Sequence, residues 1–305
     1  MIVLQDADLV ALVDEAHGGE VLDLVVRSTG FRPLGRPPFA PLAALAGDMD
    51  EDTWTDRYRG GWQVATPNAG NACTVAGDHH GFHGGASASP WQVIDGAAAH
   101  ATLAWEGHGL RIVRRLALTD AALRADTAVT ALAGPAPLIA VEHVTVGLQL
   151  LSPAVELHLP AGRAYELDET TGPTRPPESA PRFPLVLGLD GRVEEEGHAQ
   201  IAHDHGRLYV VADVPDGRAE VVNAATGDAM VLEWDAAVLP HLWVWHETRA
   251  TGGRWRNSAE IIGVEPSMTP HSLGLERALA EGQARIVRPG EPLAWHALVR
   301  PLAAS

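Results

Sequence analysis

The sequence predicts an all-β protein, predominantly antiparallel. Three observations carry that prediction. Short runs rich in Val, Ile, Leu and Trp recur from residue 9 to residue 299. Turn signals separate them, with 31 Gly and 22 Pro spread through the chain rather than gathered in linkers. Helical periodicity is nearly absent, which argues against a Rossmann fold or a TIM barrel.

The elements follow in order. Leu9 to Val13 and Val21 to Val26 flank His17-Gly18-Gly19-Glu20 and read as a hairpin. Ala101 to Trp105 and Leu110 to Leu116 flank Glu106-Gly107-His108-Gly109 and read as a second. Further strands are expected over Leu123–Leu132, Leu138–Leu148, Leu208–Val214, Met230–Trp234, Leu242–Trp245, Ile261–Val264 and Trp295–Val299. One short helix is expected around Leu275 to Ala280. Phe31 to Gly47 and Thr170 to Pro184 are Pro-rich and read as long loops inside one domain spanning 1–305.

Composition excludes several functions. All 22 basic residues are Arg, so Schiff-base, pyridoxal-phosphate and Walker-loop chemistry lack their lysine. A formal charge of −17 opposes nucleic acid and anionic membranes. Cys73 is the sole cysteine, so no intrachain disulfide and no Cys-rich zinc site can form. The start carries no basic, apolar leader and no run is long enough to span a bilayer, so a cytoplasmic location is expected.

The stretch Trp54 to Trp91 concentrates Trp, Arg, Asn and His in a Gly-rich context, the character of a binding loop. His79, His80 and His83 could chelate, and His203 with His205 adds a second cluster. Neither brings an HExxH motif or an acidic ligand at a diagnostic offset, so no metal is expected. On a strand, His143 and Thr145 share one face while Glu142 faces away. Ile261, Gly263 and Glu265 likewise share a face, and Pro266 is expected to stop the ladder there. A carboxylate at the rim of an apolar strand is partly desolvated, which raises its pKa toward that of a useful base.

Three matches in order carry a family resemblance. Phe82-His83-Gly84-Gly85 with Trp91 shortly after, Glu142-His143-Val144-Thr145-Val146-Gly147-Leu148, and Ile262-Gly263-Val264-Glu265-Pro266 together resemble the aldose 1-epimerase family, the galactose mutarotase-like superfamily. The central element lacks the Asn before its His and the aromatic and Asn after it, and the family's mid-chain substrate-binding Asp is not placed on any residue, so a divergent member is implied. The resemblance implies a large antiparallel β-supersandwich with an open sugar cleft and no cofactor. It makes Glu265 the catalytic base and His143 the acid. His83 and Arg59 would bind sugar hydroxyls, and Asn68 and Trp91 are further substrate-binding candidates. A monomer or a homodimer is expected.

Mutarotation needs one group to take the anomeric hydroxyl proton and another to protonate the ring oxygen, with no nucleophile. With reference values of about 4.3 for Glu and about 6.5 for His, the pair would work between them, Glu265 ionised and His143 protonated. Rival readings are a polysaccharide lyase or glycoside hydrolase, which usually needs two opposed carboxylates, and a sugar-binding protein without turnover. A mutarotase of a phosphorylated sugar would need arginines such as Arg57 and Arg59, or Arg254 and Arg256.

Overall fold

The computed structural model describes residues 1–37, 47–151, 155–168, 170–199, 204–251 and 258–304. Two large sheets lie face to face. The first runs Ile2–Gln5, Leu9–Asp14, Glu20–Val26, Trp62–Ala65, Val141–Thr145, Glu260–Ser267, His241–Thr248, His205–Ala212, Arg163–Glu166, Leu185–Leu187 and Val193–Glu195. The second runs His198–Ala199, Val155–His158, Arg218–Asn223, Ala229–Trp234, Leu293–Leu302, Ala122–Ala131, Leu110–Thr119, His100–Gly107 and Gln92–Ala97. Their pairings are antiparallel except where Arg163–Glu166 meets Leu185–Leu187.

Strand alternation builds the core between the sheets. Val64, Val144, Leu242, Val244 and Val211 point inward from the first sheet. Ile112, Leu116, Leu123, Ala125, Leu232 and Val299 meet them from the second. Glu142 also points inward, as its alternation with His143 requires, and is fully buried. Arg114, from the second sheet, grips both its oxygens at 2.8 Å. The indoles of Trp62 and Trp295 each donate to it at 2.7 Å. The guanidinium also lies over the Trp62 ring, 5.1 Å from its centroid. Every strong acceptor direction of the carboxylate is thereby used, which is what a buried charge requires.

Both expected hairpins form. The second turns on His108 and Gly109, both at positive φ, the two-residue geometry that matches strand twist. The expected helix is Gly274–Ala280. Three expectations are corrected. Leu138–Leu148 is not one strand. Ala136–Leu138 pairs with Arg285–Val287, and Val141–Thr145 starts anew in the first sheet, because Ile139 N–H bonds Pro67 and the Ala140 carbonyl accepts from Met268. Pro266 does not end its strand, which runs on to Ser267 opposite His241. The stretch Trp54 to Trp91 is not all loop, since Trp62–Ala65 is a strand of the first sheet and Glu51–Asp56 is a short helix. Asp50 caps that helix by accepting from Thr53 N–H, with Glu51 and Asp52 in its first turn. Thr170 to Pro184 forms turns and bends, as expected, while residues 38–46 of the first irregular stretch lie outside the described residues. No helix among the described residues is long and apolar enough to cross a membrane.

Candidate active site

The outward face of the first sheet carries a cavity of about 230 Å³. His83, His143 and Glu265 all line it, although 60 and 122 residues separate them along the chain. Sheet register explains two of the three. Val141 lies opposite Ser267 and Thr145 opposite Gly263 in adjacent antiparallel strands, so His143 stands opposite Glu265. The ladder is interrupted at that point, where Pro266 supplies no N–H. His143 Nε2 lies 3.5 Å from Glu265 Oε1, and both residues are under 4% exposed.

Gly263 makes this contact possible. A Cβ there would stand 2.3 Å from Glu265 Oε1, so any side chain would push the carboxylate away from its place beside His143. His83 arrives from a different element. Its backbone is left-handed at φ 57°, and Gly84 after it packs so tightly on the Thr66 and Asn68 carbonyls that a Cβ would not fit. His83 Nδ1 accepts from Gly70 N–H at 3.2 Å, which leaves Nε2 as the protonated nitrogen of its neutral ring.

Aromatic rings hold the imidazoles. Trp54 lies edge-on to His83 at 4.5 Å between centroids and donates from its indole to Ser87 at 3.2 Å. Tyr58 lies 5.3 Å from His143, and its hydroxyl is hydrogen-bonded to Thr145. Trp245 completes the enclosure at 6.2 Å from His143. Burial pushes the His143 pKa down to about 4. Burial, and then the neighbouring His143, pushes His83 well below the usual imidazole range. Both rings are therefore neutral near pH 7. This differs from the expectation of a protonated His143, because desolvation of the ring outweighs the backbone hydrogen bond that favours its charged form.

The other expected substrate-binding residues are not in the cavity. Arg59 turns the other way and is held by Asp14 at 2.9 Å and by Glu20. Asn68 is fully buried and joins chain segments, donating to Asn71 and Gly81 carbonyls and accepting from Leu275 N–H. Trp91 is a core residue, its indole bonded to the Ala86 carbonyl at 2.8 Å. Each makes contacts that a loop reading could not foresee. His79 is exposed and His80 stacks on His108 at 4.1 Å, so neither joins His83 around a metal. Arg57 donates to Met49 sulfur, and His203, Arg254 and Arg256 lie outside the described residues.

The sequence reading missed Trp243, Trp245 and Glu247, which line the cavity from one strand. Their signal was present: residues 243, 245 and 247 alternate along the His241–Thr248 run and must share a face. Ser272 also lines the cavity, its buried hydroxyl without a hydrogen-bond partner among the described residues.

The fold is the galactose mutarotase-like sandwich, as comparison with solved structures bears out. A protein of Synechocystis sp. PCC 6803 superposes with a TM-score of 0.71 at 17% identity, covering 99% of this chain and 96% of that one. A proposed aldose 1-epimerase of Escherichia coli K12 gives 0.68 at 16% identity, covering 99% and 98%. A galactose mutarotase-like protein of Lactobacillus casei ATCC 334 gives 0.63 at 15% identity, covering 99% and 100%. No family model and no curated protein matches the chain. At such identities the likeness defines the fold, and the chemistry must be argued from the site.

Proposed function

We propose that the protein is an aldose 1-epimerase that interconverts the α and β anomers of a free, neutral hexose or related sugar. The observation that carries this reading is the His143–Glu265 contact on an aromatic-walled cavity. The cavity is smaller than the roughly 300–1,000 Å³ of drug-sized pockets and suits a single sugar ring. Trp54, Phe82, Trp243 and Trp245 give the cavity an aromatic lining suited to sugar C–H groups, and Ser272 and His83 are polar lining residues that can hydrogen-bond hydroxyls.

In this mechanism Glu265 takes the proton of the anomeric hydroxyl and the C1–ring-oxygen bond breaks. The ring oxygen leaves with the electron pair and is met by an imidazole N–H of His143. A neutral imidazole can polarise an oxygen as an electrophile, and it is a weak acid matched to the strongly basic alkoxide that ring opening produces. The open aldehyde rotates about C1–C2. Reclosure reverses both transfers on the other face of the carbonyl, so the two groups end as they began.

Glu51, Glu247 and Glu265 give the cavity wall three carboxylates. Among its described residues no arginine balances them, which favours a neutral sugar over a phosphorylated one. A sugar-binding protein without turnover is the second reading, favoured by the altered central sequence element. An isomerase of one domain over 1–305, without cofactor, in the cytoplasm and as monomer or homodimer, accompanies the first. Saturation-transfer NMR on a panel of mutarotating hexoses and their 6-phosphates tests it. Accelerated exchange of a neutral hexose supports the proposal. Binding without acceleration supports the second reading, and acceleration of the phosphate alone overturns the neutral-sugar assignment.

A further inference from the structure

A second cluster lies on the opposite face of the same sheet from the cavity. Trp243, Trp245 and Glu247 face the cavity, so His246 points inward, toward the face that carries Leu242 and Val244 into the core. Arg207 stands opposite it on the next strand, with His205 and Tyr209 as its diagonal neighbours. Glu196 approaches from the segment after Val193–Glu195. The metal-ligating atoms of Glu196, His205 and His246 all lie within 4.8 Å of one another.

Two features of this cluster have no explanation among the described residues. Three carboxylates surround one guanidinium: Glu166 at 3.3 Å, Glu194 at 2.8 Å and Glu196 closer still. The negative charge exceeds the positive there by more than one unit, partly out of water. In addition, His246 Nε2 and the Tyr209 hydroxyl have no hydrogen-bond partner among the described residues, with His246 only 2% exposed and Tyr209 fully buried. Buried polar atoms left in this state cost stability unless something satisfies them. Their rings lie 5.7 Å apart, and the His205 ring lies 5.6 Å from that of His246.

We propose that Glu196, His205 and His246 bind a divalent cation of the zinc class, which ties the His205–Ala212 and His241–Thr248 strands to the segment at Glu196. Two imidazole nitrogens and one carboxylate oxygen are a donor set such ions favour, with further positions left for water. Arg207 engages Glu196 Oε1, and a carboxylate has a second oxygen to offer the ion. The cation answers both features at once: it offsets the surplus of carboxylates and accepts the imidazole lone pair. The Tyr209 hydroxyl is then placed to bond a ligand or a bound water. Because the sheet separates this cluster from the cavity, the ion acts on stability, and the inference stands apart from the sugar reading.

The test uses the full chain, stripped with chelator and dialysed against zinc chloride, then cobalt chloride. The expected result is one zinc per chain by elemental analysis and visible cobalt absorption of a low-symmetry nitrogen–oxygen site. Zinc at about a hundred times its dissociation constant should raise Tm by about 5 °C. His205→Ala and Glu196→Gln should each lose the bound ion and the Tm gain, while His79→Ala keeps both. Equal Tm of stripped wild type and of each variant in chelator shows that the variants fold. Less than a fifth of an equivalent of zinc in the wild type overturns the proposal. So does an ion retained in both His205→Ala and Glu196→Gln.

Discussion

Glu142 and Glu265 are both buried carboxylates of the first sheet, on adjacent strands, yet they face opposite ways. Glu142 points between the sheets, where Arg114 and two indoles use all its acceptor directions. Glu265 points into the cavity beside a neutral imidazole. The difference teaches that burial alone does not mark a reactive carboxylate. A charge met by a matched cation holds the fold, whereas a desolvated carboxylate beside a hydrogen-bonding imidazole and open space can move a proton.

The largest effect should come from the cavity side. Glu265→Gln keeps the shape and removes the base, so anomer exchange should fall on the order of 10²–10⁴-fold with Tm little changed. His143→Asn should cost a similar factor, and the double variant far less than the product, since the two act as a unit. Near-wild-type exchange by saturation-transfer NMR in folded Glu265→Gln would falsify the catalytic reading. The mirror experiment is Glu142→Gln, which strands Arg114 in the core. Denaturant unfolding should show a loss of about 3–5 kcal/mol, while turnover per folded molecule stays near wild type. A catalytic collapse without loss of stability would mean the two roles had been assigned the wrong way round.

Gly263→Ala sharpens the comparison, because it keeps both carboxylates in the sequence and displaces only that of Glu265. Turnover should drop on the order of 10–10²-fold, the cost of a misplaced group, with a smaller change in KM measured on the same sugar.

pH separates the sequence-based window from the structure. With His143 held at about 4, kcat/KM should rise with pH through about 4 and show no fall near 6.5. A descending limb near 6.5 would restore the protonated acid. The same burial has a stability consequence. His80, His143 and His241 are pushed down to about 4, against about 6.5 in the unfolded chain. Between those values the unfolded state binds more protons, so stability is full above about 6.5 and is lost as pH falls toward 4. Tm measured down that range should decline steadily. The smallest effect is expected for Arg59→Met, which should leave KM within about twofold because Arg59 faces Asp14 and Glu20, while Tm falls as buried Glu20 loses its cation and keeps only the Gln63 amide among the described residues.

Period-two alternation was enough to separate Glu142 from His143 and to set Gly263 on the face of Glu265, since a strand offers only two faces. Turn residues located both hairpins, and the ordered elements at His83, His143 and Glu265 named the three groups that meet in the cavity. Which strands lie side by side was not in any local pattern. Strand neighbours are chosen by long-range pairing, and only that pairing put residue 143 opposite residue 265. Arg59, Asn68 and Trp91 looked like binding groups for the same reason: a side chain's type is local, but its direction depends on partners such as Glu20, Leu275 and Ala86. The charge state of His143 belongs with them. The residue itself brings a titratable ring near neutrality, and the burial that drives it to about 4 exists only once Trp54, Tyr58 and Trp245 have closed around it.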